Sequence, residues 1–374
     1  MKVWVVADIS RQIPGGMLRH MESHADGLRQ FGHAAEVFCS EDFGITGSAN
    51  IDRHVSGLRS MKALLGKVRA ESPDVMNVHT LIAPAWIAAQ QMGLLGKTKV
   101  VVMSYGADER VISRRSGLRR LVQLLGLTIP ARAMLPRATG IWCVNAEDRE
   151  FVLKRYGLSE RRVAVIPHVC GGLFYDPPAS DAHRASMHLL FVGSWIPRKG
   201  IAILSSALPQ LISKRPDLRV TLAGTMVEER TVRTSFPGSA QAAITVHPQA
   251  SPLELRELYR MGTLLLVPSE VEGLPIVLLE AMASGCPSLS AANSGMADII
   301  VDGENGWLLS TREPAIWAER IESLLQDPSA LRRAGQGARA TAERFRSDRV
   351  TADAVAWYEF LLALPRQATN DAST

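Results

Sequence analysis

Two glutamates stand at a spacing that suits recognition of a ligand rich in hydroxyl groups. Glu272 lies in a polar loop after an apolar strand, and Glu280 lies on the second turn of a helix predicted to begin near Pro275. A helix N-terminus offers N–H groups and partial positive charge to phosphates, and carboxylates accept hydrogen bonds from hydroxyls. The alternative is a helix cap at Glu272 and a solvated face at Glu280. Because Ala281-Met282-Ala283 indicates tight packing beside Glu280, we favour the binding role.

Two adjacent cations, Arg198 and Lys199, follow the predicted strand Leu189–Gly193 and precede a helix predicted from Ile201. When a bond to a phosphate group breaks, negative charge builds on the leaving phosphate, and fixed cations stabilise that charge in the transition state. Arginine contributes bidentate geometry and lysine a point charge. The alternative is an exposed basic loop, but the frame of Gly193 and Gly200 favours a phosphate site at the end of the strand.

Composition limits the classes of protein that these residues can belong to. The chain has 374 residues, 42 Lys plus Arg, 37 Asp plus Glu and a formal net charge of +5, with 47% hydrophobic residues. At about 150 residues per domain this length predicts two domains. The aromatic content of 6% argues against stacking platforms for nucleic acid, so no nucleic-acid partner is expected. The 4 cysteines form no C-x-x-C pair, which argues against a zinc site and favours a reducing cytoplasm.

The elements that must position these residues form two series of apolar strands separated by helical patterns. The first series is Lys2–Ala7, Ala35–Cys39, Val75–His79, Val100–Ser104, Gly140–Val144 and Val163–Ile166. The second is Leu189–Gly193, Arg219–Ala223, Ile244–His247, Thr263–Val267 and Cys286–Ser290. Strands that are apolar on both faces and alternate with helices predict parallel sheets covered on both sides. The fold class is therefore α/β, with two doubly wound, Rossmann-like domains that face a cleft.

The break between the two series falls in a segment rich in glycine, proline and polar residues, 171–186. We predict an N-terminal domain at 1–172 and a C-terminal domain at 173–347. Residues 348–374 are predicted to form a helix that crosses back to the N-terminal domain and a polar tail. In open α/β sheets ligands bind at the carboxyl ends of the strands, so the cleft is the expected site.

Four motifs, in this order along the chain, resemble those of one family. They are Pro14-Gly15-Gly16, then Gly193-Ser194-Trp195-Ile196-Pro197-Arg198-Lys199-Gly200, then the two glutamates, and finally the segment Asn293–Gly306. Together they resemble the E-x7-E signature and flanking motifs of retaining glycosyltransferases of the GT-B fold, family 4, the glycosyl transferases of group 1. The similarity extends over essentially the whole chain and is strongest from Leu189 to Trp307.

This resemblance implies a retaining hexosyltransferase (EC 2.4) in which Glu272, Arg198 and Lys199 are the catalytic residues. It also implies that the domain at 1–172 binds the acceptor and that the domain at 173–347 binds the nucleotide sugar. Glu280 would hold the nucleotide ribose, Glu272 the donor sugar, and the two cations the diphosphate. The implied donor-binding residues are Gly15, Gly16, Gly193, Arg198, Lys199, Glu272, Gly273, Leu274, Pro275 and Glu280. Such enzymes are described by same-face attack, in which the departing phosphate takes the acceptor proton, so no protein nucleophile is required.

Three positions depart from the family pattern, and one of them is His168-Val169, which replaces the Asn-Gly that family members carry before the linker. Ser194 stands where the family carries an arginine, and Arg198 is the substitute we expect. Tyr105-Gly106 stands where members commonly carry His-Gly near the transferred sugar. Tyr105 and His79, which ends a predicted strand, are therefore candidates for the acceptor or sugar side. For His79 a structural role is the alternative.

The implied partners are a nucleoside-diphosphate sugar and a glycan or lipid-linked acceptor, used in surface polysaccharide, lipopolysaccharide or glycolipid synthesis. A UDP-sugar is the first expectation and a GDP-sugar the second, as co-substrate and not as a cofactor. No D-x-D triplet occurs, so no metal is expected. A basic segment with interleaved leucines is a candidate for contact with anionic lipid, with a helix face packed on its own domain as the alternative. Its arginines are Arg114, Arg115, Arg119 and Arg120.

The absence of a signal sequence and of any run of about 18 apolar residues predicts a cytoplasmic protein, peripheral at the inner face of the membrane if the basic segment binds lipid. Two other functions stay open. One is a nucleotide-sugar epimerase or a phosphorylase of related fold, which would turn over the donor alone or with phosphate. The other is a catalytically silent partner of another transferase, which would bind donor without turnover.

Overall fold

The computed structural model describes residues 1–12, 15–45, 50–79, 82–104, 129–176 and 187–365. The chain divides into two compact units. Unit 1 comprises Met1–Val169 and Ser347–Thr374, and unit 2 comprises Cys170–Arg346. The sequence-based boundaries were placed at 172/173 and 347/348, so the units divide within a few residues of those positions.

The described strands of unit 1 form one parallel sheet, whose central, mainly apolar strands are buried because helices cover both faces. The strands are β1 (Lys2–Val6), β2 (Ala34–Phe38), β3 (Val75–His79), β4 (Lys99–Ser104), β5 (Gly140–Cys143) and β6 (Val163–Val165). They lie in the order β2-β1-β3-β4-β5-β6. The order changes direction between β1 and β3, which makes the carboxyl ends of these two strands the switch point of the sheet.

The helices of unit 1 alternate with its strands. The described helices that precede unit 2 in the sequence are α1 (Gly16–Gln30), α2 (Asn50–Glu71), α3 (Ala83–Gln91), α4 (Ile129–Met134) and α5 (Ala146–Tyr156). Local sequence explains the ends of α5, since the Asn145 side chain accepts a hydrogen bond from the Asp148 N–H and Gly157 ends the helix in the left-handed conformation.

Unit 2 contains a second parallel sheet, again with buried, mainly aliphatic strands. Its strands are β7 (His188–Val192), β8 (Arg219–Ala223), β9 (Ile244–His247), β10 (Leu264–Val267), β11 (Ser288–Ala291) and β12 (Trp307–Leu309). The order is β12-β11-β10-β7-β8-β9. Here β7 and β10 are the two central neighbours, and the chain moves outwards in opposite directions from them. The two sheets confirm the predicted fold class of two doubly wound domains.

The helices of unit 2 are α6 (Ile201–Lys214), α7 (Glu229–Arg233), α8 (Gly238–Gln241), α9 (Pro252–Met261), α10 (Ile276–Ala283), α11 (Ser294–Ala297), α12 (Pro314–Leu325) and α13 (Pro328–Ala342). Helix α9 begins at a capping box, in which the Ser251 side chain accepts from the Glu254 N–H and the Glu254 side chain accepts from the Ser251 N–H.

Short 3₁₀ turns occur in both units. They lie at Ser40–Phe43, Leu135–Arg137, Glu160–Arg162, Gly172–Tyr175, Pro197–Lys199 and Glu343–Phe345.

The last helix, α14 (Ser347–Ala363), belongs to unit 1 although it follows unit 2 in sequence. It packs closely on α1 and β5. A Cβ on Gly27 would lie 2.2 Å from Thr351 Oγ1, and one on Gly140 would lie 2.7 Å from Leu361 Cδ1. These close contacts explain why glycine occupies both positions under the helix. Among the described residues, no helix combines the length and apolar character that crossing a membrane requires.

Candidate active site

The predicted cations and the first glutamate meet at the centre of the sheet of unit 2. Arg198 and Lys199 follow β7, Glu272 follows β10, and these strands are hydrogen-bonded neighbours. Parallel strands end at the same edge, so both loops leave the sheet at the carboxyl edge, where the strand order changes direction. In open α/β sheets this position is the usual binding crevice.

The loops after β7 and β10 are tied together through the backbone. The N–H of Glu270 donates to the carbonyl of Arg198 at 2.8 Å. Gly200 has a φ of +78°, and a Cβ there would lie 2.1 Å from the Pro268 carbonyl oxygen. Only glycine therefore permits this approach of the first loop to the second. The contact fixes the two cations relative to the loop that carries Glu272.

Both cations contact the same carboxylate oxygen of Glu272. Its Oε1 lies 2.6 Å from Lys199 Nζ and 3.2 Å from Arg198 Nη1. Arg198 Nη1 also donates to the Val271 carbonyl at 2.8 Å. The exposed fraction of the side chain is 11% for Glu272, 18% for Lys199 and 35% for Arg198. The three predicted residues thus form a partly buried charged cluster, and Glu272 does not cap the following helix, whose N-cap is Pro275.

The loop from Ser269 to Pro275 is held by residues that sequence reasoning did not assign to the site. Asn293 Nδ2 donates to the carbonyls of Ser269 and Glu270 at 2.7 and 3.1 Å. A Cβ on Gly295 would lie 1.8 Å from the Gly273 carbonyl oxygen. Both residues belong to the segment Asn293–Gly306, the last of the four family motifs. Their membership of this motif is the one signal in the sequence that points to them. Leu274, the remaining predicted donor residue of this loop, is buried.

Glu280 lies on α10 and is 1% exposed, so its side chain does not belong to a solvated helix face. The hydroxyl of Tyr259, on α9, donates to its Oε2 at 3.0 Å. Gly193, the other predicted donor residue of unit 2, directly follows β7 and has a φ of +154°. It lies beside the Lys199 side chain, since a Cβ there would be 3.8 Å from Lys199 Cδ. Neither spacing nor residue type in the sequence links Tyr259 with Glu280.

In unit 1, three predicted residues belong to the segments that follow or end the two strands of the switch point. Gly15 is the N-cap of α1 in an extended conformation, and Gly16 is the first residue of that helix. His79 is the last residue of β3. The structure places the His79 side chain inside the unit, where it is buried.

Four buried histidines lie together in unit 1: His20, His24, His79 and His168. The ring centroids of His20 and His168 are 4.4 Å apart, and those of His20 and His24 are 6.1 Å apart. His24 Nε2 and the hydroxyl of Tyr358, on α14, are 3.1 Å apart. Burial is the main cause of a lowered pKa in each of them: about 4 for His24, about 3 for His79 and His168, and well below its ordinary value for His20, which the neighbouring histidines lower further.

Tyr105 and the candidate lipid-binding arginines, Arg114, Arg115, Arg119 and Arg120, lie outside the described residues. Within the described ranges, no group of three or more His, Cys, Asp or Glu side chains is arranged to hold a metal ion. That the reaction needs no metal stays a prediction.

Two sequence families match successive parts of the chain. Glycosyltransferase Family 4 matches residues 14–169, and Glycosyl transferases group 1 matches residues 181–341. A curated D-inositol 3-phosphate glycosyltransferase of Arthrobacter sp. is 32% identical, with 79% of this chain and 73% of that protein covered. One from Xylanimonas cellulosilytica is 28% identical, with 77% and 67% covered. The match to the Nocardia farcinica protein of the same name covers only 48% of that relative.

Solved structures with the same architecture cover nearly the whole chain. Sucrose-phosphate synthase from Thermosynechococcus elongatus has a TM-score of 0.81 at 16% identity, with 97% of this chain and 100% of that chain covered. Anabaena HepE, solved with UDP and glucose, has a TM-score of 0.70 at 18% identity and the same coverage. WaaG, a glycosyltransferase of lipopolysaccharide biosynthesis, has a TM-score of 0.73 at 18% identity, with 94% and 98% covered.

These likenesses agree with one another and with the two doubly wound sheets. The chain is a glycosyltransferase with the GT-B fold and belongs to family 4, the glycosyl transferases of group 1.

Proposed function

We propose that the enzyme transfers a hexosyl unit, with retention, from a nucleoside-diphosphate sugar to a glycan or lipid-linked acceptor. The observation that carries this proposal is the shared contact of Arg198 and Lys199 with one oxygen of Glu272. Two cations that converge on one anionic atom at the switch point form a site for an anionic ligand. A diphosphate supplies such an anion, and the hydroxyls of the adjoining sugar suit the carboxylate.

On this proposal each charged side chain has a separate role. Arg198 and Lys199 bind the diphosphate and stabilise the negative charge that builds on its terminal oxygen as the bond to the sugar C1 breaks. Glu272 accepts hydrogen bonds from the donor sugar, and Glu280 accepts them from the ribose. The acceptor oxygen attacks C1 on the face that the phosphate leaves, and its proton passes to the departing phosphate.

The two cations also explain how the reaction could proceed without a divalent ion. Their two positive charges would offset the charge of the leaving diphosphate, which is the task of Mg²⁺ or Mn²⁺ in other phosphate sites. Metal independence is therefore part of the proposal.

The relatives favour UDP as the first nucleotide to test, because HepE was solved with UDP and glucose. For the acceptor, the names of the curated relatives favour a phosphorylated inositol, and WaaG favours a lipopolysaccharide. The wider proposal is a role in surface polysaccharide, lipopolysaccharide or glycolipid synthesis. A cytoplasmic enzyme that works at the inner face of the membrane would reach lipid-linked acceptors.

The test is an assay of UDP and GDP release from UDP- and GDP-sugars, with D-inositol 3-phosphate, lipid-linked glycans and no acceptor as separate arms. Acceptor-dependent release, with the anomeric configuration of the product equal to that of the donor, is the expected result. Turnover of the donor without acceptor, or only with phosphate, would instead identify an epimerase or a phosphorylase. Inversion at C1 would contradict the retaining mechanism.

A further inference from the structure

We infer that Tyr259 is the positioning residue that sets the ribose specificity of the donor site, through the carboxylate of Glu280. This inference rests on the proposed role of Glu280 in ribose binding. The Tyr259 hydroxyl donates to Glu280 Oε2 at 3.0 Å, and both side chains are buried, with 0% and 1% exposed. A buried carboxylate needs hydrogen-bond donors to remain charged and to hold one orientation.

The tyrosine is itself held from several directions within unit 2. Its ring packs edge-on against Phe174, with 5.9 Å between the ring centroids. On the same helix, α9, Arg260 Nη2 donates to the Asp176 carbonyl at 3.0 Å and Arg256 pairs with the Asp176 carboxylate at 3.1 Å. These contacts fix α9 against the segment that carries Phe174, so the hydroxyl approaches Glu280 from a defined direction.

The position of the hydroxyl gives it a specific effect on binding. A carboxylate offers about four acceptor positions, and Tyr259 occupies one of them on Oε2. With that position filled, rotation of the carboxylate would break a buried hydrogen bond, so the other acceptor positions keep their direction. A vicinal pair of ribose hydroxyls, which presents two donors at a fixed separation, is recognised best by such a fixed group.

The experiment compares the Tyr259→Phe variant with the native chain. Phenylalanine is chosen because it keeps the buried ring and removes only the hydroxyl. Affinities for UDP, 2′-deoxy-UDP and 3′-deoxy-UDP are measured by calorimetry, with the guanosine series used if GDP binds and UDP does not. We expect the native protein to bind UDP roughly tenfold or more tightly than either deoxy analogue. In Tyr259→Phe this ratio of affinities should be smaller by a factor of about three to ten. In donor kinetics KM should rise by a similar factor while kcat changes little, because the ribose contact is equal in ground and transition states.

The matched control is Tyr175→Phe. Tyr175 is also a buried tyrosine of unit 2, but its hydroxyl donates to the main-chain carbonyl of Ala342 at 2.7 Å. Both variants lose one buried hydrogen bond, so both are expected to unfold at lower temperature. Only Tyr259→Phe should change the ratio of affinities between UDP and the deoxy analogues.

The outcomes separate this inference from the proposal on which it rests. If Glu280→Gln abolishes the ribose preference while Tyr259→Phe retains it, Tyr259 has no positioning role and the assignment of Glu280 stands. If the native protein binds UDP and its deoxy analogues equally, Glu280 does not read the ribose and both statements fail. If Tyr259→Phe weakens all the nucleotides by one factor, its role is structural and the inference is overturned.

Discussion

Glu272 and Lys199 form an ion pair in which Oε1 lies 2.6 Å from Nζ, and Arg198 joins the same oxygen at 3.2 Å. The Glu272 carboxylate is therefore paired with the same two cations that are assigned to the diphosphate. A nucleotide that binds there must exchange one anion for another, and the exchange would release Glu272 towards the sugar. Binding of the diphosphate and orientation of the sugar-binding carboxylate are thus linked by one shared contact.

Lys199→Ala should lower kcat/KM by about 10²-fold, because loss of one charged contact to a developing negative charge costs roughly 3 kcal/mol. The fold should tolerate the change, since Lys199 lies in a short turn outside the strands and longer helices and Arg198 still pairs with Glu272. The measurement is steady-state kinetics of donor turnover together with thermal unfolding. Lys214→Ala is the matched control, because Lys214 is 61% exposed and pairs with Glu322 at 2.9 Å on the same unit. Native kinetics in Lys199→Ala would remove this residue from the site.

Gly200→Ala should prevent the two site loops from approaching each other. The residue has a φ of +78°, and the added Cβ would meet the Pro268 carbonyl at 2.1 Å. Backbone strain of ~1–3 kcal/mol adds to the steric clash, so a loss of more than ~3 kcal/mol of unfolding free energy is expected. Gly238→Ala, where a Cβ has no neighbour within 4 Å, is the control. Equal urea midpoints for the two variants would contradict the close approach of the loops.

Turnover should persist when EDTA is present in excess over divalent cations. Arg198 and Lys199 supply the positive charge that the leaving diphosphate requires on the proposed mechanism. Initial rates measured after dialysis against EDTA, with and without added Mg²⁺ or Mn²⁺, provide the test. A rate that falls to background and returns only with metal would show that the two cations do not replace it.

The sequence predicted the strands well because parallel strands buried on both faces are continuous apolar runs bounded by loops. Val75–His79, Arg219–Ala223 and Ile244–His247 were predicted with the bounds that the structure shows. The short edge strand β12, Trp307–Leu309, was missed, because so few residues give no pattern distinct from a loop. Contacts between distant segments also escaped prediction, since neither spacing nor composition indicates that His20 and His168 meet.

The Arg198–Lys199–Glu272 cluster illustrates the same division. The residue types and their places after strands predicted a site, and the sheet order in unit 2 brings β7 and β10 together. That the glutamate would pair with both cations was not predictable, because the pairing depends on how closely the two loops approach. Glycine at position 200 permits this approach, and only the structure shows which backbone atom it faces.

The buried histidines should make the protein lose stability as the pH falls from 6.5 to 5. Their pKa values in the folded state are lowered by burial, to about 4 for His24 and about 3 for His79 and His168. The unfolded chain then binds more protons below pH 6.5, so the free energy of unfolding decreases with falling pH, by ~1–2 kcal/mol per histidine at pH 5. Above about pH 8 these groups are neutral in both states and contribute no pH dependence.

Urea unfolding at pH 7, 6 and 5 measures this loss. His20→Leu replaces one titrating group of the cluster by an apolar side chain. The free energy of unfolding of this variant should therefore fall less from pH 7 to 5 than that of the native protein. A free energy of unfolding that is constant from pH 7 to 5 would show that the histidines titrate alike in the folded and unfolded states.

The two glutamates of the site should respond differently to the loss of their charge. Glu280 is assigned to ribose hydroxyls, which the nucleoside diphosphate and the donor share, so Glu280→Gln should weaken both ligands by about ten- to a hundredfold. Glu272 is assigned to the sugar and pairs with Arg198 and Lys199. Glu272→Gln should therefore reduce turnover and leave the nucleoside diphosphate bound no more weakly than in the native protein, since the diphosphate no longer competes with a carboxylate. Calorimetric titration of both variants with UDP and a UDP-sugar, or with GDP and a GDP-sugar, distinguishes these effects. If the diphosphate affinity falls in Glu272→Gln and not in Glu280→Gln, the two roles are reversed. If neither variant changes binding or rate, both glutamates are structural residues of the loop and helix, and the proposed donor site is wrong.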